Sequence, residues 1–209
     1  MTAPRSDAPR RLRGLNAADA AQVAMFAALI AALGVVGSIP MPVGVPITLQ
    51  TLGVMLAGAL LGARRGALAV IVLLVLAAAG LPVLAGGRGG LGVFAGPTVG
   101  YLIGFVVGAF VIGLIVDRFR RIPNVAQMFL ICVVGGIVTI YLVGIPVQAM
   151  VLATPLKETI TGSMIVFLPG DLLKAALASV VAVGVFRAYP PASPVTRREA
   201  RLTARAANQ

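Results

Sequence analysis

Six long apolar runs, at residues 20–39, 47–63, 66–85, 97–116, 125–147 and 169–186, alternate with segments rich in arginine, proline or glycine. About 20 helical residues cross the roughly 30 Å of a bilayer's hydrocarbon, and each run reaches or nearly reaches that length. Backbone amides in lipid must find partners within the chain, so the pattern predicts an all-α integral membrane protein with six transmembrane helices. With 59% hydrophobic and only 11% charged residues, and a mean hydropathy of +1.04, no large extramembrane domain fits. The expected organisation is a basic segment at 1–19, a six-helix membrane domain at 20–187 and a basic tail at 188–209. That tail, with Pro190, Pro191 and Pro194 among polar arginine-rich sequence, cannot bury a core and is expected to be disordered or surface-bound.

A net charge of +11 raises the question of nucleic acid, and the placement of the charges answers it. Numbered along six spans, Arg5, Arg10, Arg11 and Arg13 precede the first, Arg64 and Arg65 follow the second, and Arg118, Arg120 and Arg121 follow the fourth. Arg187, Arg197, Arg198, Arg201 and Arg205 follow the sixth, so fourteen of the seventeen cations fall on one side. That is the positive-inside pattern, and it places both termini in the cytoplasm. Removing any one span would scatter the same residues over both faces. The basic segments are therefore topology signals with a weak attraction for anionic lipid, and nucleic acid is not expected as a partner. The first apolar run is too long for a signal-peptide core and reads as an uncleaved helix. Fifteen arginines against two lysines fit a GC-rich bacterial genome, hence a multi-pass protein of a bacterial plasma membrane.

The chain has no histidine and one cysteine, Cys132, inside an apolar run. Disulfides, most transition-metal sites and histidine-dependent catalysis are excluded, and no cofactor is expected. An intramembrane aspartyl enzyme would need a second carboxylate near Asp171, but Asp7, Asp19 and Asp117 all lie at or beyond the cytoplasmic span ends. The chain is not read as an enzyme. Neither lysine belongs to a G-x-x-x-x-G-K-[ST] sequence, so any ATP-driven transport requires a partner.

The connections on the opposite side are unusual. Residues 38–46, S-I-P-M-P-V-G-V-P, hold three prolines and are expected to form a stiff extended loop. Residues 80–96 hold seven glycines and are apolar apart from Arg88. Such a loop is either floppy or shaped for close backbone approach to a ligand. Residues 154–168 carry Lys157 and Glu158 and a short apolar stretch expected to lie on or dip into the outer leaflet.

Only two ionisable residues fall inside a predicted span, Asp171 and Lys174. Pro169 reads as the first residue of the sixth helix, which sets Asp171 in its first turn and Lys174 on the same face. The two either neutralise each other so that the helix inserts, or face a ligand. Gln50 serves either an interhelical hydrogen bond or a ligand, and Tyr101 either an interfacial anchor or a ligand. All of them, with Thr48 and Arg88, are expected at the outer ends of different helices or in the loop between, and the inner halves hold no comparable polar set. The distribution suits capture of a small molecule from outside rather than conduction. Ala20, Ala24, Ala28 and Ala32 recur every fourth residue on the first helix, a spacing that admits close approach by another helix.

Three segments carry a resemblance: G-V-P-I-T-L-Q-T-L-G-V-M-L-A-G at 44–58, G-L-P-V-L-A-G-G-R-G-G-L-G-V-F-A-G-P-T-V-G-Y-L-I-G-F at 80–105, and P-G-D-L-L-K-A at 169–175. In that order they resemble the BioY family, the biotin-binding S components of energy-coupling factor (ECF) transporters, and the likeness covers about 20–186. It implies the six-helix S-component fold, biotin held near the outer surface, and association with a transmembrane T component and two ATPase subunits. It further implies that Asp171 and Lys174 contact the biotin head group and that Ala24 and Ala28 meet the T component. Arg88 occupies a loop position that is often small in the family, and Val99 stands where a small residue is usual. The candidate ligand set is Asp171, Lys174, Gln50, Arg88, Tyr101 and Thr48, with Gly86 and Gly87 of the loop. An S component for another vitamin, or a small ion-coupled transporter, is the alternative.

Overall fold

The computed structural model describes residues 16–193 except Val43, together with 195, 196, 199, 202, 203 and 206. The arginines at 5, 10, 11, 13, 197, 198, 201 and 205, and ten of the twenty-two residues of the tail expected to be disordered, lie outside the described residues. The tail's beginning forms a short 3-10 turn, Pro190–Ala192, closed by Thr196 donating from its hydroxyl to the Pro190 carbonyl at 3.0 Å.

Helix α1 spans Ala17–Val36 and is capped by Asn16, whose side chain accepts the Asp19 amide at 2.7 Å. The proline-rich segment closes as an antiparallel ribbon, β1 (Ser38–Ile39) against β2 (Ile47–Thr48), with Ser38 opposite Thr48. Helix α2, Gln50–Leu61, turns into α3, Ala63–Ala78, through the single residue Gly62. Gly62 takes a φ of 80° with Asp117 packed over it, a conformation open to glycine at little cost. Helix α4 spans Val99–Val116. Helix α5, Val125–Leu152, starts with a capping box between Asn124 and Gln127. It passes through a π-helical turn, Val134–Val138, and continues past Pro146.

Helix α6, Leu156–Ala188, has 33 residues and is about 50 Å long at 1.5 Å per residue. It overturns two expectations at once. Residues 154–168 do not form a separate connection before the sixth helix: α5 ends at a left-handed Ala153, and after Thr154 and Pro155 the chain is already helical. Pro169 lies inside the helix, so Asp171 is mid-helix and meets no positive helix end. The proline continues the helix because its fixed φ is helical and it forfeits one amide bond, a loss that membrane bundles absorb. Its buried face runs Thr159, Ser163, Phe167, Asp171, Lys174, Ala178, Ala182 and Phe186, one unbroken stripe at helical spacing.

Helix α4 lies at the centre, packed on α2, α3 and α5. Its glycines set the closeness of that packing: a Cβ at Gly104 would lie 3.1 Å from the Ile140 Cα, and one at Gly108 2.6 Å from the Gly135 carbonyl. At one end of the bundle Arg65 pairs with Asp19 at 2.7 Å, and Asp117 accepts the Ala63 amide at 3.5 Å. That end gathers the start of α1, the α2–α3 turn and the end of α4, with Arg64, Arg118, Arg120 and Arg121 beside them. The opposite end holds the ribbon, the 80–96 loop, the start of α4 and the end of α5, with Gly44 beside Pro97 and Leu152. Among the described residues, α1, α4, α5 and α6 are long and apolar enough to cross a membrane, and α2 is apolar but shorter.

Candidate ligand site

The glycine-rich loop is folded back on itself. Two 3-10 turns, Ala85–Gly87 and Leu91–Phe94, alternate with left-handed Gly86, Gly87 and Gly90. The Leu84 amide donates to the Arg88 carbonyl at 3.0 Å, and the Gly90 amide reaches back to the Ala77 carbonyl at 2.7 Å. Gly89 is pressed against the Leu81 carbonyl, where a side chain would collide. The close approaches its glycines allow are to the chain's own backbone, at the Leu81 and Ala77 carbonyls. Leu84 and Ala85 are buried beneath it, and Gln50 donates its amide to the Val83 carbonyl at 3.4 Å, tying the loop to the start of α2.

Under the loop lies a small cavity of about 40 Å3, walled by Val45, Leu84, Val93, Leu102 and Phe105, with Thr48, Gln50, Arg88, Thr98 and Tyr101 as its polar members. It has room for a few water molecules and no more. A second cavity, of about 290 Å3, adjoins it between the ribbon and the loop, lined by Ser38, Met41, Gly86 and Arg88 among others. Pro46, Ala85 and Arg88 line both. Arg88 is exposed on this rim and donates from Nε to the Ala85 carbonyl at 3.1 Å. Apolar walls with a few convergent polar groups are the usual make-up of a small-molecule site. Admitting a ligand ring system to the inner cavity requires its walls to move apart.

Of the residues singled out from sequence, the structure thus brings together Thr48, Gln50, Arg88 and Tyr101 at the inner cavity and Gly86 at the outer one. Gly87 lies in the same loop without lining either. Asp171 and Lys174 line neither cavity and lie on the buried stripe of α6. Lys174 Nζ donates to Asp171 Oδ1 at 2.8 Å, and the residues are 8% and 4% exposed. Thr51, the neighbour of cavity-lining Gln50, also donates to Oδ1, at 3.2 Å, and Tyr141 of α5 donates to Oδ2 at 2.7 Å. The carboxylate therefore joins α2, α5 and α6. A second buried cluster sits close by: Tyr101 and Ser163 both donate to the Gln148 side-chain oxygen, at 2.7 and 3.1 Å. The Tyr101 ring meets Phe167 edge-on at a centroid distance of 6.0 Å.

Sequence reading passed over Thr51, Thr98, Tyr141, Gln148 and Ser163. Ser163 was within reach, since it lies eight residues before Asp171 on the same face once the helix is carried through Pro169. Tyr141 stands in an apolar run and Gln148 directly after it, with no local sign of their partners. Ala20, Ala24, Ala28 and Ala32 are all exposed along one side of α1.

A model of the BioY family matches residues 6–191. The chain belongs to the BioY family. It is 50% identical over 178 residues to the biotin transporter BioY of Rhodobacter capsulatus, covering 81% of this chain and 94% of that one. Its identity to the biotin transporter BioY of Rhizobium etli is 44% over 182 residues, covering 84% and 97%. In three dimensions it is similar to the crystal structure of the S component for biotin from an ECF-type ABC transporter, with a TM-score of 0.76 and 33% identity over 81% of this chain and 91% of that chain. The fold is that of an S component, and this BioY-family chain is a transport protein rather than an enzyme.

Proposed function

We propose that this chain captures biotin at the outer face of the plasma membrane and serves as the S component of an ATP-driven ECF transporter. The observation that carries the reading is the cavity beneath the 80–96 loop, with Thr48, Gln50, Arg88 and Tyr101 at its wall, in a chain of the BioY family. All six helices cross the bilayer in this reading, and both termini lie inside. Helices α2 and α3, of 12 and 16 residues, are short for a 30 Å core, and the ribbon and loop above them complete the crossing around the site. The membrane domain is 20–187, flanked by the basic segments 1–19 and 188–209.

Biotin matches the polar inventory. Its ureido ring offers two N–H donors and one carbonyl, complementary to the carboxylate of Asp171 and the ammonium of Lys174. Its apolar chain ends in a carboxylate, for which the Arg88 guanidinium at the rim of both cavities is the cation. Gln50, Tyr101 and Thr48 flank the rings, and Gly86 and Gly87 let the loop backbone close over them. Without a nucleotide-binding motif of its own, the chain draws on two ATPase subunits through a T component that packs on the exposed Ala24 and Ala28 face of α1.

Equilibrium binding of radiolabelled biotin to the detergent-purified chain tests this. Saturable binding displaced by unlabelled biotin and by no other vitamin is the expected result. Displacement by another vitamin would reassign the cargo, and a folded protein that binds none would overturn the reading.

A further inference from the structure

Asp171 is held by more than its ion pair. An ionised carboxylate has about four acceptor positions. Two on Oδ1 are taken by Lys174 and Thr51, and one on Oδ2 is taken by Tyr141. One acceptor position is left, on Oδ2. Lys174 commits one of its three protons to Asp171, which leaves the ammonium free to donate to a carbonyl next to that position. The pair is also neutral as a unit, so it gains nothing from a charged head group.

We propose that Tyr141 and Thr51 are positioning residues for ligand selection, locking the Asp171 carboxylate so that with Lys174 it reads one neutral N–H and the carbonyl beside it, the edge of a cyclic urea or lactam. This rests on the reading that Asp171 contacts the ligand head group. The two hydroxyls come from α2 and α5 while the carboxylate is on α6, so they fix its plane against rotation, and neither touches the ligand itself. Thr51 directly follows Gln50, a wall of the inner cavity, so the turn of α2 that holds the carboxylate is also the one that borders the cavity, although Asp171 lines neither cavity.

The test compares biotin with its two derivatives methylated at one or the other ureido nitrogen, by equilibrium binding to purified wild type, Tyr141→Phe and Thr51→Val. In wild type one methyl derivative binds far more weakly than the other, because a single N–H enters the remaining acceptor position. Tyr141→Phe is expected to weaken biotin about tenfold, the worth of a hydrogen bond to a charged group. It should compress the gap between biotin and the disfavoured derivative by a similar factor. Thr51→Val, at a longer bond, should act in the same direction by less, and it carries the test if Tyr141→Phe does not fold. Equal losses for biotin and the derivative would reduce both residues to packing and overturn the proposal, as would wild-type biotin affinity in both variants. The underlying reading fails separately, if Asp171→Asn binds biotin as wild type does.

Discussion

Burying a carboxylate and an ammonium at 4% and 8% exposure is tolerable only when both are paired and hydrogen-bonded, since an isolated charge there costs several kcal/mol. Asp171 meets that condition with three donors from three helices. Lys174→Met should therefore be severe, removing about 3 to 5 kcal/mol of stability by stranding the carboxylate. Adding Asp171→Asn removes the stranded charge while its side-chain carbonyl still accepts from Thr51 or Tyr141, so the double variant should recover most of its thermal stability in detergent. Double alanine would be a poorer control, because it leaves both hydroxyls without their acceptor. If the pair reads the ligand, Asp171→Asn/Lys174→Met remains at least tenfold weaker in biotin binding although it folds. Binding within about threefold of wild type, a difference of roughly 0.6 kcal/mol, would reduce the pair to a structural device.

Small residues pack α4 inward, whereas on α1 one row of them faces outward. Gly100, Gly104 and Gly108 bring α4 against α5 so closely that a side chain at any of them meets backbone. Ala20, Ala24, Ala28 and Ala32 of α1 face away from the bundle, while Ala27 on the opposite side is buried in it. Bulk should act oppositely at the two places. Gly108→Val is expected to unfold the bundle by overpacking. Ala28→Trp should leave biotin binding by the purified chain unchanged while abolishing co-purification with the T component and uptake in cells. Loss of binding in Ala28→Trp would show that this face packs within the chain. Helix α6 makes a different point. Its pattern of buried positions passes through Pro169 without interruption, so the face defined by Thr159 and Ser163 is the one that carries Asp171.

For the bundle as a unit, the consequential feature is its two unlike ends. One gathers Arg64, Arg65, Arg118, Arg120 and Arg121, and the other gathers the ribbon, the glycine loop and both cavities. With the arginine end inside, an impermeant thiol reagent on intact cells should label Leu91→Cys and spare Arg64→Cys in a Cys132→Ser background. Leu91 suits this better than the glycine before it, being 75% exposed with no left-handed backbone to strain, whereas Gly90 has a φ of 84°. Labelling of the cysteine at position 64 would invert the topology.

The helical class, the gathering of Arg64, Arg65, Arg118, Arg120 and Arg121 at one end, and that of Thr48, Gln50, Arg88 and Tyr101 around one cavity were legible in the chain. Hydropathy and charge add up along a sequence, and in lipid the backbone has few other solutions. The start of the sixth helix was not legible, because Pro169 marks a boundary in sequence and only packing against α2 and α5 decides whether a helix continues through a proline. The partners of Asp171 were beyond local reading. Thr51 is 120 residues away and Tyr141 is 30. Which hydroxyl meets which carboxylate depends on how helices cross and how closely their glycines let them approach, and only the folded molecule holds that information.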